Sequence, residues 1–347
     1  MYITKLNLQN FKSYLYQDFE FKNITLLTGL NGAGKSTIFQ SLRMFWHNLE
    51  YGHSVINQYG ELKTLKNKDT RDDYFYLTLD IEGREDYQLF HDSKNNISGS
   101  QGDISTSKFR NINLVYISAN RFGPTEFQHI RNENIILNNN VGINGEYTLD
   151  ILSKYRDINL PESFKDEVSK QNILINHVEK WLQEISPNIR LETELNKKMN
   201  LASFTINGFT PLNVGFGVSY TLSIIVQLLV SVIQLDKDKI KTVILMENPE
   251  AHLHPKGQTK IAELIAKISE FGVQVIVETH SDYILDGLRL SVKNGIISHE
   301  NTKLYYLEMD EDGNTEVKSP QIDKDGYLDE WPENFFDTSL NNSMRLM

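Results

Sequence analysis

Gly29-Leu30-Asn31-Gly32-Ala33-Gly34-Lys35-Ser36 fits the pattern G-x-x-x-x-G-K-[ST], and Thr37 follows directly. The apolar run Ile24-Thr25-Leu26-Leu27 precedes it, and Ile38, Leu42 and Phe45 recur behind it at helical spacing. Strand, glycine-rich loop and helix, in that order, are the context the pattern needs. The glycines let consecutive backbone N–H groups converge on phosphate oxygens at the positive end of the following helix. Asn31, Gly32, Ala33, Gly34 and Thr37 are therefore candidate phosphate contacts. Lys35 is expected to reach the β- and γ-phosphates of ATP, and Ser36 to bind Mg²⁺. A chance Lys-Ser pair in a glycine-rich turn would not bring both flanking elements with it.

Downstream, the apolar run Thr242-Val243-Ile244-Leu245-Met246 ends in Glu247-Asn248-Pro249-Glu250-Ala251-His252-Leu253-His254-Pro255. A carboxylate at the end of a buried strand is what a nucleotide-binding sheet needs to hold the water shell of Mg²⁺ opposite Ser36. Glu247 takes that role; a lone strand-end Glu with no phosphate loop upstream would carry no such meaning. Val273-Gln274-Val275-Ile276-Val277-Glu278-Thr279 leads in the same way to His280, whose imidazole can donate to the γ-phosphate or orient the attacking water. Gly215, Gly217 and Ser219 open a long apolar helix and form a second anion-binding terminus. One triphosphate does not need two. The arrangement makes sense if this terminus caps the γ-phosphate held by a second copy, giving a head-to-tail dimer around two ATPs. A helix cap with a close-packing glycine accounts for the spacing equally well.

Taken together, Phe11-Lys12-Ser13, residues 29–36, Gly215 to Ser219, residues 247–255 and Glu278-Thr279-His280-Ser281 resemble the ABC-type ATPase heads of the SMC and RecF-like branch of AAA-family (P-loop) ATPases. The set is also similar to the ATPases of OLD (overcoming lysogenization defect) nucleases and of prokaryotic phage-defence systems. The tail Asp325-Gly326-Tyr327 through Trp331-Pro332 and on to Asp337, with Tyr116-Ile117-Ser118-Ala119-Asn120-Arg121-Phe122-Gly123-Pro124, resembles a subfamily of small stand-alone bacterial ATPases. The resemblance implies a head that dimerises around ATP and Mg²⁺, with Gly215, Gly217 and Ser219 as the signature acting in trans. It also implies Glu247 as the metal-side acid, His280 as the switch histidine, and the Phe11 to Tyr14 segment, with Lys12 and Ser13, near the nucleotide base.

The sequence departs from that family pattern in places. Asn248 stands where such ATPases usually carry the Glu that activates water, and an amide is a poor general base. Either Glu250 serves as the base, or hydrolysis is slow and the protein is an ATP-gated switch. Gly215 occupies the usual place of the signature serine, which leaves Ser219 or backbone N–H groups to meet phosphate. Gln58 is the one candidate for the family's Q-loop glutamine. The insert is too short for an SMC coiled-coil arm, and the residues after Glu308 are not expected to form an OLD nuclease domain.

Three functions fit these features. The chain is an ATPase that drives a separately encoded effector, a nuclease by expectation, in antiviral defence or DNA processing; or it is a slow ATPase whose nucleotide-held dimer sequesters a partner; or it is a repair-type ATPase that binds DNA. The 46 acidic residues against 35 Lys and Arg, a net charge of -11, oppose strong sequence-independent binding of nucleic acid. Cysteine is absent, which excludes disulfides, thiolate metal sites and thiol nucleophiles. The start, MYITKLNLQNF, has no apolar signal region, and a cytoplasmic location is expected. Residues 214–235 carry no charge, but Gly, Ser, Thr and Gln interrupt them, which predicts a buried core helix and not a membrane span.

The pattern predicts an α/β fold: a mostly parallel core sheet, an N-terminal antiparallel β subdomain and an inserted helical subdomain. The expected divisions are 1–145 with the phosphate loop, 146–210 as the helical insert, 211–310 with the later motifs, and 311–347 as a tail. Strands are read at 2–8, 24–27, 74–81, 87–91 and 113–118, a loop at 92–108, helical periodicity from about 146 to 200, and alternating strands and helices from 241 to 308. His252 and His254 read as loop packing or a γ-phosphate-side role, since no third metal ligand is spaced for them. Asp323 to Gly326 reads as a turn, and the basic residues between Lys63 and Arg71 as a solvated loop.

Overall fold

A computed structural model describes residues 2–53, 59–82, 84–95, 97–101, 112–131, 139–164, 171–196 and 198–332. In chain order they form β1 (Ile3–Phe11), β2 (Tyr14–Glu20), β3 (Ile24–Gly29), α1 (Lys35–Tyr51), β4 (Tyr74–Ile81), β5 (Arg84–Asp92), β6 (Ile97–Gln101), β7 (Ile112–Ile117) and β8 (Gln128–His129). Then follow α2 (Thr148–Tyr155), α3 (Leu174–Ile185), β9 (Leu191–Asn196), β10 (Leu201–Ile206), α4 (Phe216–Ile233), β11 (Lys241–Glu247), α5 (Pro255–Phe271), β12 (Gln274–Glu278), α6 (Asp282–Lys293), β13 (Thr302–Met309) and β14 (Thr315–Lys318). The chain divides into two units, Met1–Leu114 with His299–Met347, and Val115–Ser298.

In the first unit the antiparallel sheet runs β2-β1-β4-β5-β6. Alternation decides its faces: Leu6 sits opposite Phe19 on one side and Leu79 on the other, and Leu8 opposite Leu77, so one row of side chains is buried. Phe11 and Phe75 continue that row with ring centroids 5.1 Å apart. A second layer has β3 parallel to β13, with β14 antiparallel on the far side of β13. β3 is buried along its length up to Gly29, as expected for a strand that delivers a loop to the sheet edge. Behind the loop, Ile38, Phe39, Leu42 and Phe45 of α1 are fully buried and recur at helical spacing.

In the second unit β11 and β12 run parallel, with Glu247 level with Glu278, and the strand order is β12-β11-β7. α4 is the core element. It is long and apolar enough to cross a membrane, yet Ile224, Ile225, Val226, Leu228, Leu229 and Val230 have no exposed surface. Burial of each such side chain contributes roughly 1.5–3 kcal/mol. The helix is a core helix, packed by α2 and α3.

Two expectations fail. The Ser/Asn/Gly-rich stretch at 92–108 contains a strand, β6, which pairs with β5 from Gln88–Gln101 to Asp92–Ile97. It is an exposed edge strand held by its backbone, so it has no hydrophobic alternation to read; residues 102–108 lie outside the described residues. Helical periodicity does not run to 200: from Leu191 the chain forms the β9–β10 hairpin. Leu191 and Leu195, four apart, mimic a helix face.

Candidate functional site

In the first unit the glycine-rich loop turns out of β3 into α1. Gly34 is the helix N-cap with φ 93, in the left-handed region, where a Cβ would lie 2.6 Å from Thr315 Oγ1 and 2.8 Å from the Tyr14 hydroxyl. No side chain caps α1 and its first turn carries no acid, so the positive end of the helix is left to an anion. Lys35 is buried, and its Nζ donates to the carbonyls of Gly29 at 3.0 Å and Leu30 at 2.7 Å, which folds the side chain over the loop. Thr37 is buried, and its N–H bonds the Gly34 carbonyl; Ala33 is buried, with its N–H on the Leu30 carbonyl. Asn31, Gly32 and Ser36 are exposed.

The β1–β2 turn packs on this loop. Ser13 Oγ accepts from Thr315 Oγ1 at 2.7 Å, Thr315 Oγ1 also reaches the Ala33 carbonyl at 3.2 Å, and the Tyr14 hydroxyl donates to the Gly34 carbonyl at 3.0 Å. Lys12 has φ 51, and its Nζ donates to Gln40 of α1 at 2.5 Å. The 63–71 stretch is more than a solvated loop: Asn67 is buried, and its amide donates to the Lys12 carbonyl at 2.7 Å and to Asn314 at 3.1 Å. Tyr14 ends the Phe11 to Tyr14 segment that the resemblance places near the nucleotide base; Asn67 and Thr315 carry no motif of their own, and sequence reasoning missed them.

In the second unit the turn after β11 collects the acidic candidates. Glu247 Oε1 accepts from the Tyr116 hydroxyl at 2.8 Å and Oε2 from the Ala119 N–H at 2.9 Å. Asn248 has φ 45, its N–H donates to the Glu278 carbonyl at 2.8 Å, and its side-chain oxygen is enclosed without a hydrogen-bond partner. Glu250 Oε1 accepts from the His280 backbone N–H at 2.9 Å, while Oε2 is enclosed without a partner. Glu247, Glu250 and His280 are thus brought together, and the His280 side chain is exposed.

Arg121 lies beneath this turn, 2% exposed. Its guanidinium donates to the carbonyls of Ser118 at 2.8 Å, Glu247 at 2.7 Å and Asn248 at 2.7 Å. Burial pulls its pKa down to about 10, against the opposing pull of Glu250, Tyr220 and Glu247, so it stays charged at neutral pH. The sequence flagged Tyr116 and Arg121 as part of a motif without indicating that they hold the acidic turn.

At the start of α4, Gly215 is the exposed N-cap with no side-chain cap, and a Cβ on Gly217 would lie 2.7 Å from the His252 carbonyl. The Ser219 hydroxyl is enclosed without a partner. His252 packs edge-on against Tyr220 at 4.6 Å and tilted against Phe216 at 5.6 Å, and His254 Nδ1 caps α5 by accepting from Lys256 N–H. Both histidines therefore do packing and capping work, and among the described residues no three His, Cys, Asp or Glu side chains cluster to hold a metal. Asp323 accepts from the N–H groups of Asp325 and Tyr327 in a turn. Gln58 lies outside the described residues.

Taken unit by unit, the donors suit the groups of a nucleoside triphosphate and Mg²⁺. In the first unit the uncapped helix terminus with Lys35 suits phosphates and the exposed Ser36 hydroxyl suits a metal; in the second unit Glu247 keeps acceptor capacity beyond its two hydrogen bonds.

A family model described as "AAA domain, putative AbiEii toxin, Type IV TA system" matches residues 24–286, more than half of the chain. The chain belongs to this AAA-domain family. A second model, "Protein of unknown function (DUF3696)", matches residues 297–346 of this AAA-domain protein. The DNA replication and repair protein RecF of Francisella tularensis (strains U112 and SCHU S4) is 39% identical over 59 residues, and the chain spans 17% of the length of these curated relatives. An SMC head crystallised with the C-terminal winged-helix domain of ScpA superposes with a TM-score of 0.58 at 16% identity, covering 93% of this chain and 99% of that one. An SMC head with an extended coiled coil, bound to a ScpA domain derived from Pyrococcus furiosus, gives 0.55 at 15% identity, covering 99% and 98%. At such identities the likeness shows the fold: the AAA-domain protein has the mixed α/β fold of an SMC-type ATPase head.

Proposed function

We propose that this protein binds Mg-ATP and hydrolyses it, closes as a head-to-tail homodimer around two nucleotides, and uses closure to drive a separately encoded effector, a nuclease, in prokaryotic antiviral defence or DNA processing in the cytoplasm. The observation that carries the reading is the glycine-rich loop at the uncapped start of α1, with Lys35 folded over it. Lys35 and the N–H groups of Asn31, Gly32 and Gly34 hold the phosphates, joined by those of Ala33 and Thr37 once they leave the Leu30 and Gly34 carbonyls; Ser36 and Glu247 hold the metal, which when bound neutralises developing charge on the phosphates. Lys12 and Ser13 flank the nucleotide. Glu250 is the general base. Its carboxylate chemistry supports that role, since a carboxylate can take a proton from water and the Asn248 amide cannot; Glu250 Oε2 and the Asn248 oxygen are both enclosed without a partner, so a water must be admitted to Glu250 when nucleotide binds. His280 orients the γ-phosphate side, and the start of α4 caps the partner's nucleotide through Gly215, Gly217 and backbone N–H groups, with Ser219 requiring a change of rotamer. That an SMC head was crystallised with ScpA supports a protein partner for this fold.

Calorimetry of ATP binding to Lys35→Ala is the direct test: binding should be lost, and undiminished affinity would overturn the assignment. A second reading, a slow ATPase serving as a nucleotide-held scaffold, is favoured by Asn248 alone.

A further inference from the structure

Arg121 is a full charge buried without a carboxylate in hydrogen-bond contact: its Nη1 and Nη2 bond backbone carbonyls, and its Nε is enclosed without a partner. A buried guanidinium is costly, and neutral acceptors offset that cost less well than a carboxylate would. Such a group persists where the shape it enforces matters. Two of the three carbonyls belong to Glu247 and Asn248, at the point where the backbone enters the left-handed region. Asparagine enters this region more readily than most residues, and the bonds from Arg121 to the carbonyls on either side of Asn248 fix it there.

The third carbonyl, Ser118, precedes Ala119, whose N–H binds Glu247 Oε2. One guanidinium thus fixes both the turn that carries Glu247 and the segment that orients its carboxylate. On its open face lies the Tyr220 ring, with the guanidinium carbon 5.6 Å from the ring centroid, and Tyr220 in turn packs on His252, two residues past Glu250.

We infer that Arg121 is the positioning residue for hydrolysis: its planar fork locks the turn at residues 247–250 so that Glu247 and Glu250 face their tasks, and Tyr220 ties that lock to the first turn of α4. The inference rests on the ATPase reading. It adds that the start of α4 and the acidic turn move as one piece, so whatever engages α4 is felt at Glu250. A lysine cannot do this, because an ammonium lacks the flat fork that spans three carbonyls.

The test is Arg121→Ala, Arg121→Lys and Tyr220→Leu, assayed for ATP affinity, steady-state phosphate release and backbone hydrogen exchange over residues 247–252. Turnover should fall at least about tenfold in both Arg121 variants while ATP affinity stays within about threefold, since misplacing a reacting group by about 1 Å is that costly. Added guanidinium should restore part of the Arg121→Ala turnover, which a general loss of structure would not permit. Exchange at the N–H groups of Asn248 and Ala251 should rise. Normal turnover in both Arg121 variants, or ATP affinity lost in step with turnover, overturns the inference. If Arg121→Ala fails to fold, Arg121→Lys and Tyr220→Leu carry the test on the same criteria. Wild-type protein without turnover overturns the ATPase reading instead; unchanged exchange in Arg121→Lys would then overturn the positioning role separately.

Discussion

Thr315 and Ala33, 282 residues apart in sequence, meet at the phosphate loop: the Thr315 hydroxyl lies 3.2 Å from the Ala33 carbonyl while also bonding Ser13. The loop is therefore shaped by the β13–β14 hairpin as well as by its own glycines. Thr315→Val keeps the shape and removes the hydroxyl. Losing such hydrogen bonds costs about 0.5–1.5 kcal/mol, so ATP affinity by calorimetry should weaken roughly two- to tenfold. Unchanged affinity would mean the hairpin only covers the loop.

The trans role of α4 is best tested at Gly215. A Cβ there meets nothing within 4 Å, whereas at Gly217 it would strike the protein's own His252 carbonyl, confounding loss of dimer with damage to the monomer. Gly215→Glu should leave monomer ATP binding intact and abolish the ATP-dependent dimer in light scattering. A dimer that forms normally would remove the head-to-tail arrangement.

Magnesium links the two claims. Chelation with EDTA in the presence of ATP should dissolve the nucleotide-dependent dimer and stop phosphate release together, because the charge on the phosphates is then left unneutralised. A dimer indifferent to EDTA would point to an interface held without nucleotide.

α4 is predicted to behave as core. Leu229 has no exposed surface, so Leu229→Ala should lower stability by about 2–5 kcal/mol in urea unfolding with an unchanged slope. A loss under about 0.5 kcal/mol, the range of surface substitutions, would contradict the packing.

Much of this was legible in the sequence for a physical reason. Residues 24–45 and 241–308 combine hydrophobic period with glycine and strand-end polar residues, and each signal is local. β6 and the β9–β10 hairpin were not legible, because an exposed edge strand has no alternation and Leu191 and Leu195 sit at a spacing helices share. At the candidate site the motif residues stood out, but what holds them did not. Thr315 acts across 282 residues and Arg121 across 126, through backbone carbonyls that leave no trace in side-chain pattern.

The central claim is tested most directly by phosphate release from the wild type beside Glu250→Gln, with oligomeric state followed in the same samples. The account predicts wild-type turnover that the variant loses, with the variant trapped as an ATP-bound dimer. Turnover retained in Glu250→Gln, or absent from both proteins, would contradict Glu250 as the base; absence from both with a stable ATP-dependent dimer would make the protein a nucleotide-held switch silenced at Asn248.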